Sequence, residues 1–153
     1  MKRSQIELVK HECEQKPKLR TFLTFKDFNS ISPHVGKPLS FLERKLTSKL
    51  RLGILPIRME TARYLRPVIP ENQRFCYCNS GEIESEIHFM FYCPMYSELR
   101  ANWINKIDTS NEFSSLEPCE KFKVVLNRPE NVRHTAQFII KSMELRSILN
   151  KQY

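Results

Sequence analysis

Glycine is scarce in this chain of 153 residues, with three in all, and strand-type alternation of apolar and polar residues is scarce too. Both argue against a sheet-based fold. Aspartate occurs only at Asp27 and Asp108, far apart. Two-metal nucleotidyl transfer needs clustered carboxylates, so neither a polymerase nor a nuclease centre is expected. The G-x-x-x-x-G-K-[ST] loop is missing, which excludes nucleoside triphosphate hydrolysis by that route. The triplet HEC at 11–13 does not extend to H-E-x-x-H, and His34 and His134 stand without cysteine or carboxylate company. No apolar run approaches the roughly 20 residues that cross a bilayer. The opening MKRSQIELVKHECEQ lacks the apolar stretch of a secretory signal. Five unevenly spaced cysteines do not suggest a full disulfide framework. An intracellular chain is expected, in nucleus or cytoplasm, not secreted and with no membrane partner. No enzymatic activity is expected.

What is present is positive charge, placed unevenly. The formal net charge is +8, yet residues 1–75 carry 16 lysines and arginines against 7 acids. Residues 76–153 carry 9 against 10. The whole excess lies in the first half, a pattern that suits a polyanionic partner.

Prolines at nine positions divide the chain into segments of helical length. Leu39, Leu42, Leu46 and Leu50 recur at helical spacing behind Pro38, with Gly53 as a stop. Tyr96, Leu99, Trp103 and Ile107 form a second stripe behind Pro94. Val132, Ala136, Ile139, Ile140 and Met143 form a third, and Phe138, Leu145 and Leu149 make that last helix apolar on two faces. Further helices are expected over 3–13, 18–28 and 116–126, with irregular segments at 29–37, 53–75 and 76–83. The expected fold is all-α: a small helical domain with one knuckle-like irregular segment. Residues 1–37 read as a basic helical extension and 38–153 as the domain, with the irregular segment at 70–95.

If its leucines face the core, helix 39–51 turns Arg44, Lys45, Lys49 and Arg51 outward. Arg58, Arg63, Arg66 and Arg74 follow, interleaved with Tyr64 and Phe75. Such a face can lie along a phosphate backbone and stack on exposed bases. The competing reading is a solvated face with no partner. A third, a membrane-surface anchor, has too little aromatic anchoring beyond Phe41.

The densest chemistry is CYCNSGEIESEIHFMFYCP, residues 76–94. Cys76, Cys78, His88 and Cys93 give C-x-C-x9-H-x4-C, and three thiolates with one imidazole form a set that suits structural zinc. The NSG at 79–81 reads as a turn and EIESEIHFMFY as a helix with acids in its first turn. On an unbroken α-helix, residues 88 and 93 would stand roughly 140° apart. Pro94 disfavours α geometry at Cys93, so the helix is expected to end near Tyr92 and let Cys93 swing toward His88. Four coordinating side chains leave no open position, so the site should be structural, not catalytic. The competing reading is a group of buried free cysteines.

LRLGILPIRMETARYLRPVIPENQRFCYCNSGEIESEIHFMFYCPMYSELR, residues 50–100, resembles the zinc-binding region downstream of the polymerase core in non-LTR retrotransposon reverse transcriptases. The matching pieces are the ETARY segment, IPENQRFC, GEIESEIHF and CPMYSELR. Weaker similarity reaches PKLRTFLTFKDF upstream. One departure is Cys76-Tyr77-Cys78, where the family usually has C-x-x-C. The resemblance implies zinc on Cys76, Cys78, His88 and Cys93. It also implies RNA or DNA as partner, alongside the rest of a reverse transcriptase. The alternative is a zinc-stapled scaffold for protein interaction, or an inactive element remnant.

Overall fold

The computed structural model describes residues 3–16, 19–28, 30–107 and 112–149; Lys18, Asn29, Asp108 and the side chain of Leu149 lie outside that description. The chain is all-α, as expected. Its helices are α1 (Arg3–Glu14), α2 (Arg20–Phe25), α3 (Pro33–Gly36), α4 (Phe41–Arg51), α5 (Arg58–Thr61), α6 (Ser97–Ile107), α7 (Pro118–Asn127) and α8 (Val132–Leu149). The β-type pairing among the described residues is an isolated antiparallel bridge between Phe75 and Ile83.

The core is aromatic where α6, α7 and α8 meet. Trp103 of α6 stacks on Phe138 of α8 at 4.5 Å, and Phe91 meets Phe122 of α7 edge-on at 4.9 Å. Helix α8 is central because it buries side chains on two sides, as the third stripe suggested: Val132, Ala136, Phe138 and Ile139 are all interior. It packs against α4, α6 and α7. Phe25 of α2 reaches the same core, and Asn127 of α7 donates to its carbonyl at 2.7 Å. The segment after α4, expected to be irregular throughout 53–75, contains α5 and 3-10 turns at Ala62–Tyr64 and Glu71–Gln73, and it is buried at Leu55, Ile57, Met59 and Ala62. It threads between the helices and ends at the hairpin that carries the first two cysteines.

Helix α4 departs from the expected orientation. It begins at Phe41, not behind Pro38, because Ser40 and Glu43 close a capping box: Ser40 Oγ accepts from Glu43 N at 3.2 Å, and Glu43 Oε2 accepts from Ser40 N at 2.7 Å. The helix then buries Glu43, Thr47, Leu50 and Arg51, while Leu42 is exposed. The inward face is thus rotated away from the leucine stripe. Glu43 is held there by the capping box and Arg51 by partners on neighbouring elements. Arg51 donates to Leu126 O at 2.8 Å and Ser32 Oγ at 3.0 Å, and lies over the Phe25 ring at 4.6 Å. Gly53, at φ 67°, does end the helix: its N–H donates to Leu50 O and that of Ile54 to Lys49 O.

Candidate metal centre

The cysteine hairpin is set by backbone bonds on either side of its turn. Cys76 N donates to Glu82 O at 2.8 Å and Glu84 N to Arg74 O at 2.9 Å. Between these pairs the chain reverses through Asn79 (φ 59°) and Gly81 (φ 76°). Both stand in the left-handed region that asparagine and glycine tolerate best. This is the turn expected from NSG; it begins at Tyr77, so Cys76 ends the paired arm and Cys78 lies within the turn. Space around Gly81 is open, with nothing within 4 Å of an added Cβ. Gly81→Ala should therefore cost about 1 kcal/mol through the backbone alone, read as a lower urea midpoint with metal content unchanged.

The other two ligand positions lie on a wide turn. After Ser85 the chain makes one α-type turn and then opens into a π-helix over His88–Tyr92. Cys93 N donates to His88 O at 2.7 Å, an i to i+5 bond. That widening removes the angular conflict of a regular α-helix, because residues five apart now lie nearly above one another. Pro94 begins a 3-10 turn leading into α6. The expected helix end near Tyr92 is therefore present, with π geometry doing part of what was assigned to the proline. The expected helix over 82–85 is absent. Glu82 and Glu84 sit in the extended arm of the hairpin, held there by its pairing with 74–76.

These elements bring all four expected residues together. One ligand atom each from Cys76, Cys78, His88 and Cys93 lie within 4.8 Å of one another. Cys76 Sγ is 3.7 Å from Cys93 Sγ, and Cys78 Sγ is 3.4 Å from His88 Nε2. Cys76, His88 and Cys93 are buried and Cys78 is half-buried. A hydrogen bond with Cys93, reinforced by burial, raises the Cys76 thiol well above its ordinary value. The His88 imidazole is also raised, first by its hydrogen bond with Cys76 and against the effect of burial. Without an ion the Cys76 thiol is thus held in its protonated form, and a metal must displace that proton. The arrangement can hold one metal ion. Cys13, buried in α1, and Cys119, exposed in α7, stand outside the cluster, as expected.

No protein-family model, curated protein or solved structure matches this chain.

A second set of residues holds the centre in place and was not anticipated from sequence. Glu84, fully buried, receives both guanidinium nitrogens of the buried Arg146 from α8, with the Nη2–Oε2 contact at 2.9 Å. The same carboxylate accepts from Arg58 N at 2.6 Å, and Cys76 Sγ lies 3.7 Å from its other oxygen. Arg146 and Arg58 lie at 5.0 and 5.1 Å from the ring centre of Tyr77, the residue between the two hairpin cysteines. Arg100 of α6 donates to Met90 O at 2.9 Å and Cys93 O at 2.7 Å, satisfying carbonyls that the π turn leaves open. One signal was available: Arg146 continues the three- and four-residue spacing of Val132, Thr135, Ile139 and Ser142, a charge on a buried stripe.

The expected basic face is dispersed. Arg51 and Arg74 are interior, 2% and 5% exposed, and their guanidinium groups are engaged by backbone carbonyls. Neither belongs to an outer surface. Arg44 donates to the carbonyls of His34, Val35 and Lys37 at the end of α3. Burial, reinforced by the cations Arg51, Arg44 and Lys26, lowers the His34 pKa to about 4, so this histidine is neutral near pH 7. Arg63 pairs with Glu60 at 3.2 Å, and Tyr64 donates to Glu60 Oε1 at 2.7 Å. Lys45, Arg66 and the Tyr64 ring are exposed, and Lys49 and Arg58 are half-buried. Among the described residues no helix is long and apolar enough to cross a membrane.

Proposed function

We propose that this chain is a nucleic-acid-binding module stapled by one structural zinc, of the kind that follows the polymerase core in non-LTR retrotransposon reverse transcriptases. The observation that carries the zinc reading is the ligand spacing. Bonds of about 2.3 Å to sulfur and about 2.0 Å to nitrogen in a tetrahedron call for S···S edges near 3.8 Å and S···N edges near 3.5 Å. Two of the pairs stand at 3.7 and 3.4 Å, and all four atoms lie within 4.8 Å of one another. Three thiolates favour zinc over hard cations such as calcium and magnesium. The closed donor set argues for stability, not catalysis, and the module is read as a binder and not an enzyme.

The nucleic-acid half of the reading is supported by the charge excess of the first 75 residues and by Lys45, Lys49, Arg58 and Arg66 at least partly in solvent. Tyr64, 60% exposed, offers a ring for an unpaired base. Contacts of this kind read backbone more than sequence. Binding of RNA and of single-stranded DNA should therefore weaken steeply with salt. Lys45→Glu with Lys49→Glu should lower affinity for every sequence alike and flatten the salt slope by about two contacts' worth of released counterions. Filter binding across a salt series measures both. Equal affinity of the reversed and parent proteins would remove the nucleic-acid reading.

That result would promote a second reading, a zinc-stapled scaffold for a protein partner. It draws on the exposed apolar side chains of Ile31, Val35, Phe41 and Leu42 on neighbouring elements. Exposed apolar groups of this size mark association surfaces when they form a patch.

A further inference from the structure

Lys121 of α7 is only 7% exposed, yet among the described residues its ammonium meets neither a carboxylate nor another hydrogen-bond acceptor. Two ring faces surround it instead, Phe91 at 6.0 Å and Tyr92 at 5.6 Å to the ring centres. Cation–π attraction compensates part of the cost of desolvating an ammonium, but it leaves the N–H donors unspent. Two residues on, the exposed Lys123 pairs with Glu120 at 2.6 Å. The helix thus carries a carboxylate that Lys121 does not use. The stem of Lys121 is buried while its ammonium reaches the edge of an open cavity, as long side chains with an apolar stem allow.

Lys121 lines a solvent-open cavity of about 230 Å³ with Phe91, Tyr92, Arg100, Phe113 and Ser114. Arg100 commits its Nε and Nη2 to the carbonyls of Met90 and Cys93, which leaves Nη1 available. The lining thus offers an ammonium, a guanidinium edge and a hydroxyl, with aromatic walls and, among the described residues, no acid. Two cations and a hydroxyl call for an anion, and their summed charge matches a phosphate group, at about −1.5 to −2 near neutral pH, better than the single charge of a carboxylate.

We infer that this cavity is a phosphate-binding site, with Lys121 as its principal charge and Arg100 and Ser114 as the flanking donors. The phosphate is either the free ion or the end group of a nucleotide whose base lies against the half-exposed Tyr92 ring. The site shares Phe91 and Tyr92 with the π turn that carries His88, and it does not depend on the nucleic-acid reading above.

The test titrates the full chain with inorganic phosphate and, separately, with a nucleoside 5′-monophosphate, at constant ionic strength against chloride. Melting temperature and amide chemical shifts are the two readouts. Both ligands should raise the melting temperature, and shift changes should centre on residues 91–92, 100, 113–114 and 121. In Lys121→Met an apolar chain of similar length takes the place of the lysine stem against the same two rings, so the variant should remain folded. Its phosphate affinity should fall roughly ten- to a hundredfold, as loss of a charge-assisted hydrogen bond implies. Lys123→Met should bind as the parent does. Tighter binding of the monophosphate would identify a nucleotide as the ligand, and equal binding the free ion; both support the site. Absence of phosphate binding by the parent, shifts confined to exposed lysines such as Lys45, or full affinity in a folded Lys121→Met would overturn it. Should Lys121→Met fail to fold, the shift pattern of the parent alone decides.

Discussion

His88→Ala or Cys78→Ser is expected to abolish the zinc binding proposed for this centre and remove much of the protein's resistance to unfolding. At a structural site the free energy of binding is also free energy of folding; for zinc-finger peptides it reaches roughly 10–16 kcal/mol near neutral pH. This chain has an aromatic core besides, so the loss should be smaller and local at first. Segment 70–95 should loosen while α6, α7 and α8 retain helicity. Circular dichroism and hydrogen exchange on the parent, the variants and the chelated parent distinguish the two levels. The chelated parent should resemble the variants, and chelator should leave the variants unchanged. A parent whose melting temperature ignores chelator would sink the structural role.

The same centre should give opposite pH dependences with and without metal. In the metal-free fold the Cys76 thiol is raised by its bond with Cys93 and by burial. The folded state then holds its proton more tightly than the unfolded chain. That contribution is fully present below the unfolded thiol value, about 8.5, and is lost as pH rises beyond it. The zinc-bound fold needs thiolates, so its stability should instead fall as pH drops and protons compete for sulfur. Urea midpoints between pH 5.5 and 9.5, with and without chelator, should therefore slope in opposite directions.

Ligand identity was legible because four metal-binding side chains within eighteen positions form a pattern that packing alone seldom produces. The left-handed turn at Asn79 and Gly81 was legible for a local reason as well, since few residues tolerate that backbone. The orientation of α4 was not. Its leucine stripe and its Ser40–Glu43 cap are both visible in sequence, but the inward face depended on tertiary partners for Arg51 on α3 and α7. Arginine was assumed to face water; here Arg51, Arg74 and Arg146 serve as interior cross-links whose donors meet carbonyls and a carboxylate. The π turn was likewise hidden. Nothing in HFMFY distinguishes a π turn from an α turn, and the widening goes with the docking of Cys93 and the donation from Arg100.

The largest effect away from the ligands is expected at the buried pair Glu84–Arg146. Glu84 is fully buried and Arg146 is 4% exposed, so neither charge has water to fall back on. Removing one partner leaves the other desolvated and unpaired, which typically costs about 3–5 kcal/mol. Arg146→Met and Glu84→Gln should each lower stability by that order, measured by urea unfolding of the zinc-bound protein. Arg146→Met with Glu84→Leu should cost less than the sum of the single changes, because no charge remains stranded. Metal binding should respond as well. Glu84 accepts from Arg58 N, and its own N–H pairs with Arg74 O on the strand that carries Cys76. The pair therefore fixes the hairpin against α5 and α8, in the manner of an outer-shell group that orients ligands. Zinc affinity in the folded single variants should fall roughly ten- to a hundredfold. A merely structural pair would lower the melting temperature and leave the affinity of the folded fraction unchanged. Competition with a chromogenic chelator, at a denaturant-free temperature where each variant is folded, separates the two. An unchanged affinity there would assign the pair to the core alone and leave the hairpin to be positioned by its own turn.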